Sequence, residues 1–134
     1  MAPKKKHNIP PELKLGPLPV EMVFRTLQLD LDAGEVVFSG AAQIHASNRH
    51  PEDYAACLPY AGAIVTNPLY IGEDAKNPGK IEFIARPATY AQGILVAVVI
   101  EPDGNGNYHV ASIYPLGAKK IENRRRSGYL KPAK

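Results

Sequence analysis

A chain of 134 residues, 45% of them hydrophobic, is long enough for one core and too short for two. Sixteen Lys and Arg against thirteen Asp and Glu leave a net charge of +3, and the lone Cys57 excludes a disulfide framework or a thiolate metal site. No apolar run approaches the roughly 18 residues that cross a bilayer, so no membrane partner is expected.

Residues 1–19 read as a flexible arm, in which Pro3, Pro10, Pro11, Pro17 and Pro19 disfavour regular structure and Lys4, Lys5 and Lys6 add charge. The charged start has no apolar stretch behind it, so no signal peptide and a cytosolic setting are expected. Residues 20–134 read as a single domain. Leu27, Leu29 and Leu31 alternate with Gln28, Asp30 and Asp32; Ala33-Gly34 then turns into Glu35-Val-Val-Phe38, a pattern that predicts a β-hairpin.

Ser39 is suited to cap a short helix from Gly40 to about Ser47, which carries His45. A second helix starts at Pro51, with Glu52 and Asp53 at the positive end of its dipole and His50 at the cap. His45 and His50 would stand about 140° apart on one continuous helix. The break before Pro51 lets them converge, because the residue preceding a proline is pushed out of helical geometry. Pro59 restarts the segment before Ala61 to Val65, and Asn67-Pro68 ends it. Cys57, among alanines and Leu58, is expected to pack as a small hydrophobe.

The remainder reads as strands at Tyr70-Ile71, Lys80–Arg86, Gly93–Ile100 and Tyr108–Tyr114. Ile94–Ile100 is apolar on both faces, which suits a central strand. Asp103-Gly-Asn-Gly-Asn107 joins it to its neighbour as an antiparallel hairpin. Helices followed by strands make the fold class α+β. Alternation puts Lys80, Glu82, Ile84 and Arg86 on one face, from which Lys80 or Arg86 reaches a phosphate or simply forms a solvated ladder. In the last strand Ser112 and Tyr114 share a face with Tyr108 and Val110, leaving His109, Ala111 and Ile113 behind. Two hydroxyls are poor core material because each needs a partner when buried, whereas they suit a site that handles phosphate.

From Gly117 onward seven basic residues face one acid, Glu122, which fits an electrostatic footprint for nucleic acid. Arg124, Arg125 and Arg126 cannot all point one way on a helix, so at most two of them would contact one ligand. Arg124 and Arg125, with Arg86, are the candidate substrate-binding cations. His-x4-His without a third ligand is not a zinc pattern, and no glycine-rich phosphate loop is present, so neither metal nor cofactor is expected. Histidines, hydroxyls and arginines without a metal cluster suit RNA cleavage by acid and base, since imidazole exchanges protons near neutral pH.

The stretch from about Val36 to Lys131 resembles the phage-associated nucleases of the Barnase–EndoU–colicin–RelE (BECR) superfold. The resemblance is carried by His45 and His50-Pro51, Ile64-Val-Thr-Asn-Pro-Leu-Tyr-Ile-Gly72, Lys80-Ile-Glu-Phe-Ile84, Leu95-Val-Ala-Val98, Val110-Ala-Ser-Ile-Tyr114 and the basic tail. It implies short helices packed on a curved antiparallel sheet and a metal-independent endoribonuclease, toxin-like or phage-delivered, with tRNA among its candidate substrates. It further implies a cognate immunity or antitoxin protein as a candidate partner, and action in the cytoplasm of a host or target bacterial cell. On this resemblance His45 or His50 matches the helix histidine, Ser112 and Tyr114 the last-strand hydroxyls, and Lys80 or Arg86 the basic position. The competing expectation is a non-catalytic nucleic-acid-binding or phage structural domain with the same fold.

Overall fold

The computed structural model describes residues 9–73, 76 and 78–134. In chain order the elements are β1 (Leu13–Pro17), α1 (Val20–Leu27), β2 (Glu35–Phe38), α2 (Gly40–Arg49), α3 (Pro51–Cys57), a 3-10 turn (Leu58–Tyr60) and α4 (Ala61–Thr66). They continue with β3 (Tyr70–Glu73), β4 (Lys80–Ala85), β5 (Gly93–Val99), β6 (Tyr108–Leu116), α5 (Ala118–Arg126) and β7 (Leu130–Pro132). The strands form one seven-stranded sheet in the order β1-β2-β6-β5-β4-β3-β7. Every pairing is antiparallel except β2 with β6, which is parallel. The α+β class is as expected.

The doubly apolar run becomes β5, the central strand, and Gly93–Val98 are buried throughout. Each face of the sheet carries its own core. Phe38, Phe83, Val96, Val98 and Val110 pack with Val23, Cys57, Ile64 and Val65 from the N-terminal helices. Ile84, Leu95, Ala97, Leu116 and Leu130 pack with Ile121 of α5 on the other face. Removing side chains of this size from water is worth about 1.5–3 kcal/mol apiece. Cys57 packs as expected, and its burial pushes the thiol pKa up.

Four expectations are corrected. Within the span read as an arm, Leu13–Pro17 form a strand that pairs with β2 at the sheet's edge. The prolines bracket this strand instead of preventing it, and the Gly16 N–H donates to Glu35 at 2.9 Å. Lys4, Lys5 and Lys6 lie outside the described residues.

The hairpin over Leu27–Phe38 is not formed. Val20, Val23 and Leu27 recur at helical spacing and make α1, which ends at Gln28 in the left-handed conformation (φ 58°). The alternating leucines that follow are half-buried connection, and β2 pairs with β1 and β6 instead.

The basic tail is a helix followed by a seventh strand, and α5 covers the face on which a solvated ladder was one expectation; Glu82 and Ile84 are buried there. Finally, β6 carries a bulge. Ser112 pairs with Ala97 but Val110 pairs with the next residue, Val98, so Ala111 is extra. The extra residue reverses the alternation. Tyr108 and Val110 join the core under the N-terminal helices, while Tyr114 packs on the α5 side, as does Ala97, the cross-strand partner of Ser112.

The β5–β6 turn is held by a contact that alternation does not reveal. Asp103 Oδ1 accepts from the N–H groups of Asn105 and Asn107 at 2.8 and 3.0 Å, and its Oδ2 lies 2.7 Å from His109 Nε2. The His109 hydrogen bond, with those backbone donors, holds the Asp103 carboxyl below the usual carboxylate range. A lowered folded-state pKa stabilises the protein above the unfolded value, and the stabilisation is lost as pH falls through the folded one. Acidification below about pH 4 should therefore lower the melting temperature more in the native protein than in Asp103→Asn. Parallel acid limbs in a melting-temperature series from pH 6 to 2 would show that the pair contributes nothing.

Candidate active site

The chemistry of the site begins with how two helices meet. The Ser39 hydroxyl accepts the Ala42 N–H at 3.1 Å and starts α2, as a capping serine does. The helix ends at His50 (φ −148°, ψ 78°), whose N–H bonds the Ala46 carbonyl while its own carbonyl accepts the Tyr54 N–H. His50 thus closes one helix and opens the next through its backbone. Its imidazole makes no capping bond and stays exposed.

Pairing of β6 supplies the second half. The short β2 meets β6 only at Val36–Tyr108 and Val37–His109. From Val110 onward the outer edge of β6 has no strand beside it among the described residues, and α2 and α3 approach it instead. Pro115, which has no N–H to give a ladder, is accommodated on this edge.

A cavity of about 600 Å³ lies along that edge. His45, Ala46 and Arg49 of α2, with His50 and Asp53 at the start of α3, form one wall. Residues 111–115 form the other, with Lys80 reaching in from β4. Five consecutive strand residues cannot all present side chains to one space, since alternate side chains point to opposite faces. Ile113 is 6% exposed and its side chain is in the core, so it borders the cavity with its main chain. The cavity wraps the unpaired edge, with the histidines arriving from one face of the sheet and Ser112 and Tyr114 from the other.

Five candidate residues, His45, His50, Lys80, Ser112 and Tyr114, therefore line one space. Arg86, Arg124 and Arg125 do not border it. Arg86 is exposed just past β4. Arg124 Nη1 donates to Glu82 Oε1 at 2.9 Å, beside a second cavity of about 440 Å³ under α5. Arg125 bonds both oxygens of Glu122 at 3.3 Å, a partnership that lowers the Glu122 carboxyl pKa.

Two charged lining residues escaped the reading of the sequence, Arg49 and Asp53. Arg49 stands four residues after His45, hence on the same helix face, and that spacing was the available signal. Among the described residues no group of three or more His, Cys, Asp or Glu is placed to hold a metal ion, and no helix is long and apolar enough to cross a membrane.

The Glu82–Arg124 pair generates a stability expectation. Glu82 is 7% exposed, so its carboxylate is costly without compensating charge. Arg124→Ala should destabilise the fold by about 1–3 kcal/mol in denaturant unfolding. Arg125→Ala, which breaks an exposed pair, should leave the midpoint nearly unchanged. Equal midpoints for the two variants would sink the distinction.

Comparison with known proteins gives one family. The family model described as phage-Barnase-EndoU-ColicinE5/D-RelE like nuclease 3 matches residues 14–123. Neither the curated proteins nor the solved structures give a match.

Proposed function

The chain belongs to the phage-Barnase-EndoU-ColicinE5/D-RelE like nuclease 3 family, and from that premise we propose that it is a metal-independent endoribonuclease. One observation carries this reading: His45, His50, Lys80, Ser112 and Tyr114 border a single cavity along the open edge of β6. That set contains an acid, a base, a cation and hydroxyl ligands, which are the groups that transesterification of RNA requires.

In the proposed reaction one imidazole takes the proton of a ribose 2′-hydroxyl. The 2′-oxygen forms a bond to the adjacent phosphorus, and the bond from phosphorus to the 5′-oxygen of the next nucleotide breaks. The departing oxygen takes a proton from the second imidazole or from Tyr114. The products are a 2′,3′-cyclic phosphate and a free 5′-hydroxyl. Lys80 stabilises negative charge on the phosphorane oxygens, and Ser112 holds a phosphate oxygen in place. His45, on the middle of α2, is the first choice for the base. Arg86 is available to a flanking phosphate, whereas Arg124 and Arg125 would first have to leave their carboxylates. The same reading makes RNA the partner, with tRNA as the first target to try. It further makes the protein a toxin-like or phage-delivered agent of the bacterial cytoplasm, with an immunity protein as its natural counterpart.

Purified protein incubated with total tRNA in excess EDTA should give fragments ending in cyclic phosphate and 5′-hydroxyl. His45→Ala should lower the rate at least about 10²-fold, and His50→Ala should do so without unfolding the protein, since its imidazole caps nothing. Cleavage that needs added magnesium would overturn the metal-free mechanism, and cleavage surviving both substitutions would remove the histidines from it. Binding of RNA without cleavage would favour the non-catalytic alternative.

The hydroxyls give a separate expectation. Tyr114→Phe keeps the ring and its packing, so the rate should fall with little change in melting temperature. Ser112→Ala should act more weakly, by roughly the 1–2 kcal/mol of a positioning hydrogen bond. Normal cleavage by both variants would mean that the two hydroxyls only fill space.

A further inference from the structure

The arginines among the described residues divide by their partners. Arg25 pairs with Glu21 at 3.7 Å, Arg124 with Glu82 at 2.9 Å, and Arg125 and Arg126 with Glu122 at 3.3 and 3.6 Å. Arg49 and Arg86 have no carboxylate within ion-pair distance among the described residues. Of these two only Arg49 borders the cavity.

Its position on α2 makes that placement specific. Arg49 and His45 are four residues apart, about 40° in helical projection, so both lie over the same side of the helix. Ala46, which also borders the cavity, turns its methyl group toward the core and so leaves the space beside them open. At the next residue the chain leaves helical geometry, which sets Arg49 directly before the His50 joint. An arginine in the last turn also complements the helix dipole. That effect alone would be satisfied by any face of the helix, including the one turned to solvent.

We propose that Arg49 is the substrate-binding cation of the site, its guanidinium fork gripping two non-bridging oxygens of the scissile phosphodiester. This rests on the ribonuclease reading above and assigns within it a role that neither composition nor family resemblance gave. Lysine presents a point charge, whereas the planar guanidinium matches two phosphate oxygens at once. Arg49 then fixes the phosphorus beside His45, and Lys80 on the opposite wall serves as the second, less directional cation. Asp53, a carboxylate on the same cavity, lowers the positive potential that the two cations set up there.

The test uses Arg49→Ala, Arg49→Lys and, for loss of equal charge elsewhere, Arg126→Ala. Two measurements are made on the full chain: kcat/KM for cleavage of an RNA oligonucleotide, and affinity for the same oligonucleotide bearing 2′-O-methyl riboses, which cannot be cleaved. Arg49→Ala should lose about 10²-fold in kcat/KM and about 10-fold in affinity. Arg49→Lys should recover only part of either, and Arg126→Ala should match the native protein in both. Native kcat/KM in Arg49→Ala, full rescue by lysine, or an equal loss in Arg126→Ala would each overturn the proposal. If the native protein cleaves no RNA, the ribonuclease reading fails by itself. The affinity series then decides on Arg49, and unchanged affinity in Arg49→Ala would refute its role as a phosphate ligand.

Discussion

The brevity of the β2–β6 pairing governs the rest of the molecule. Only Val36 and Val37 find parallel partners on β6, after which Phe38 ends the strand and Ser39 turns the chain into α2. A sheet that continued would have closed the edge of β6 with a ladder of hydrogen bonds. Because it stops, the next part of the chain must pack on that flank as helix, and the flank keeps main-chain groups facing a cavity. Open strand edges are usually liabilities that invite other chains to pair. In this fold the flanking helices and Pro115 restrict such pairing, and the opening is the cavity of about 600 Å³.

Charge is distributed by the same economy of partners. The basic α5 dominates the sequence, yet its three arginines are tied to Glu82 and Glu122. A carboxylate such as Glu82, nine-tenths covered by the sheet and α5, needs a cation close by, and Arg124 supplies it. Arg124 therefore serves the second core of the protein, on the far face of the sheet, whereas Arg125 and Arg126 pair at the surface of α5. Less conspicuous cations, Lys80 and Arg49, remain near the histidines without carboxylate partners among the described residues.

Legibility in the sequence followed the range of the interactions. The joint at His50-Pro51 and the cap at Ser39 depend on neighbours in the chain, and both were readable. The run Ile94–Ile100 announced a strand covered on both faces, and β5 is that strand. The edge strand β1 was hidden because its prolines lie at its ends, and composition averages them with the strand itself. Leucines at 27, 29 and 31 matched a strand period while Val20, Val23 and Leu27 matched a helix; tertiary packing decided between them. The bulge at Ala111 and the pairing of Arg124 with Glu82 are set by residues remote in sequence, so local patterns carried no sign of them. The candidate site was legible in part for the same reason. Five of its residues came from motifs, and Arg49 required knowing which face of α2 turns toward β6.

The bulge in β6 works as a shift of reading frame within a single strand. Before Ala111 the large even-numbered side chains Tyr108 and Val110 serve the helix-side core, and after it the even positions Ser112 and Tyr114 are released from that duty. Beyond the bulge the helix-side core is met by the odd-numbered Ile113 instead, while Leu116 joins Ile121 on the α5 side. One extra residue thus changes which face each later side chain serves along a continuous backbone. Without it, Ser112 and Tyr114 would fall on the helix side of the sheet with Val110, and Ile113 would leave that core.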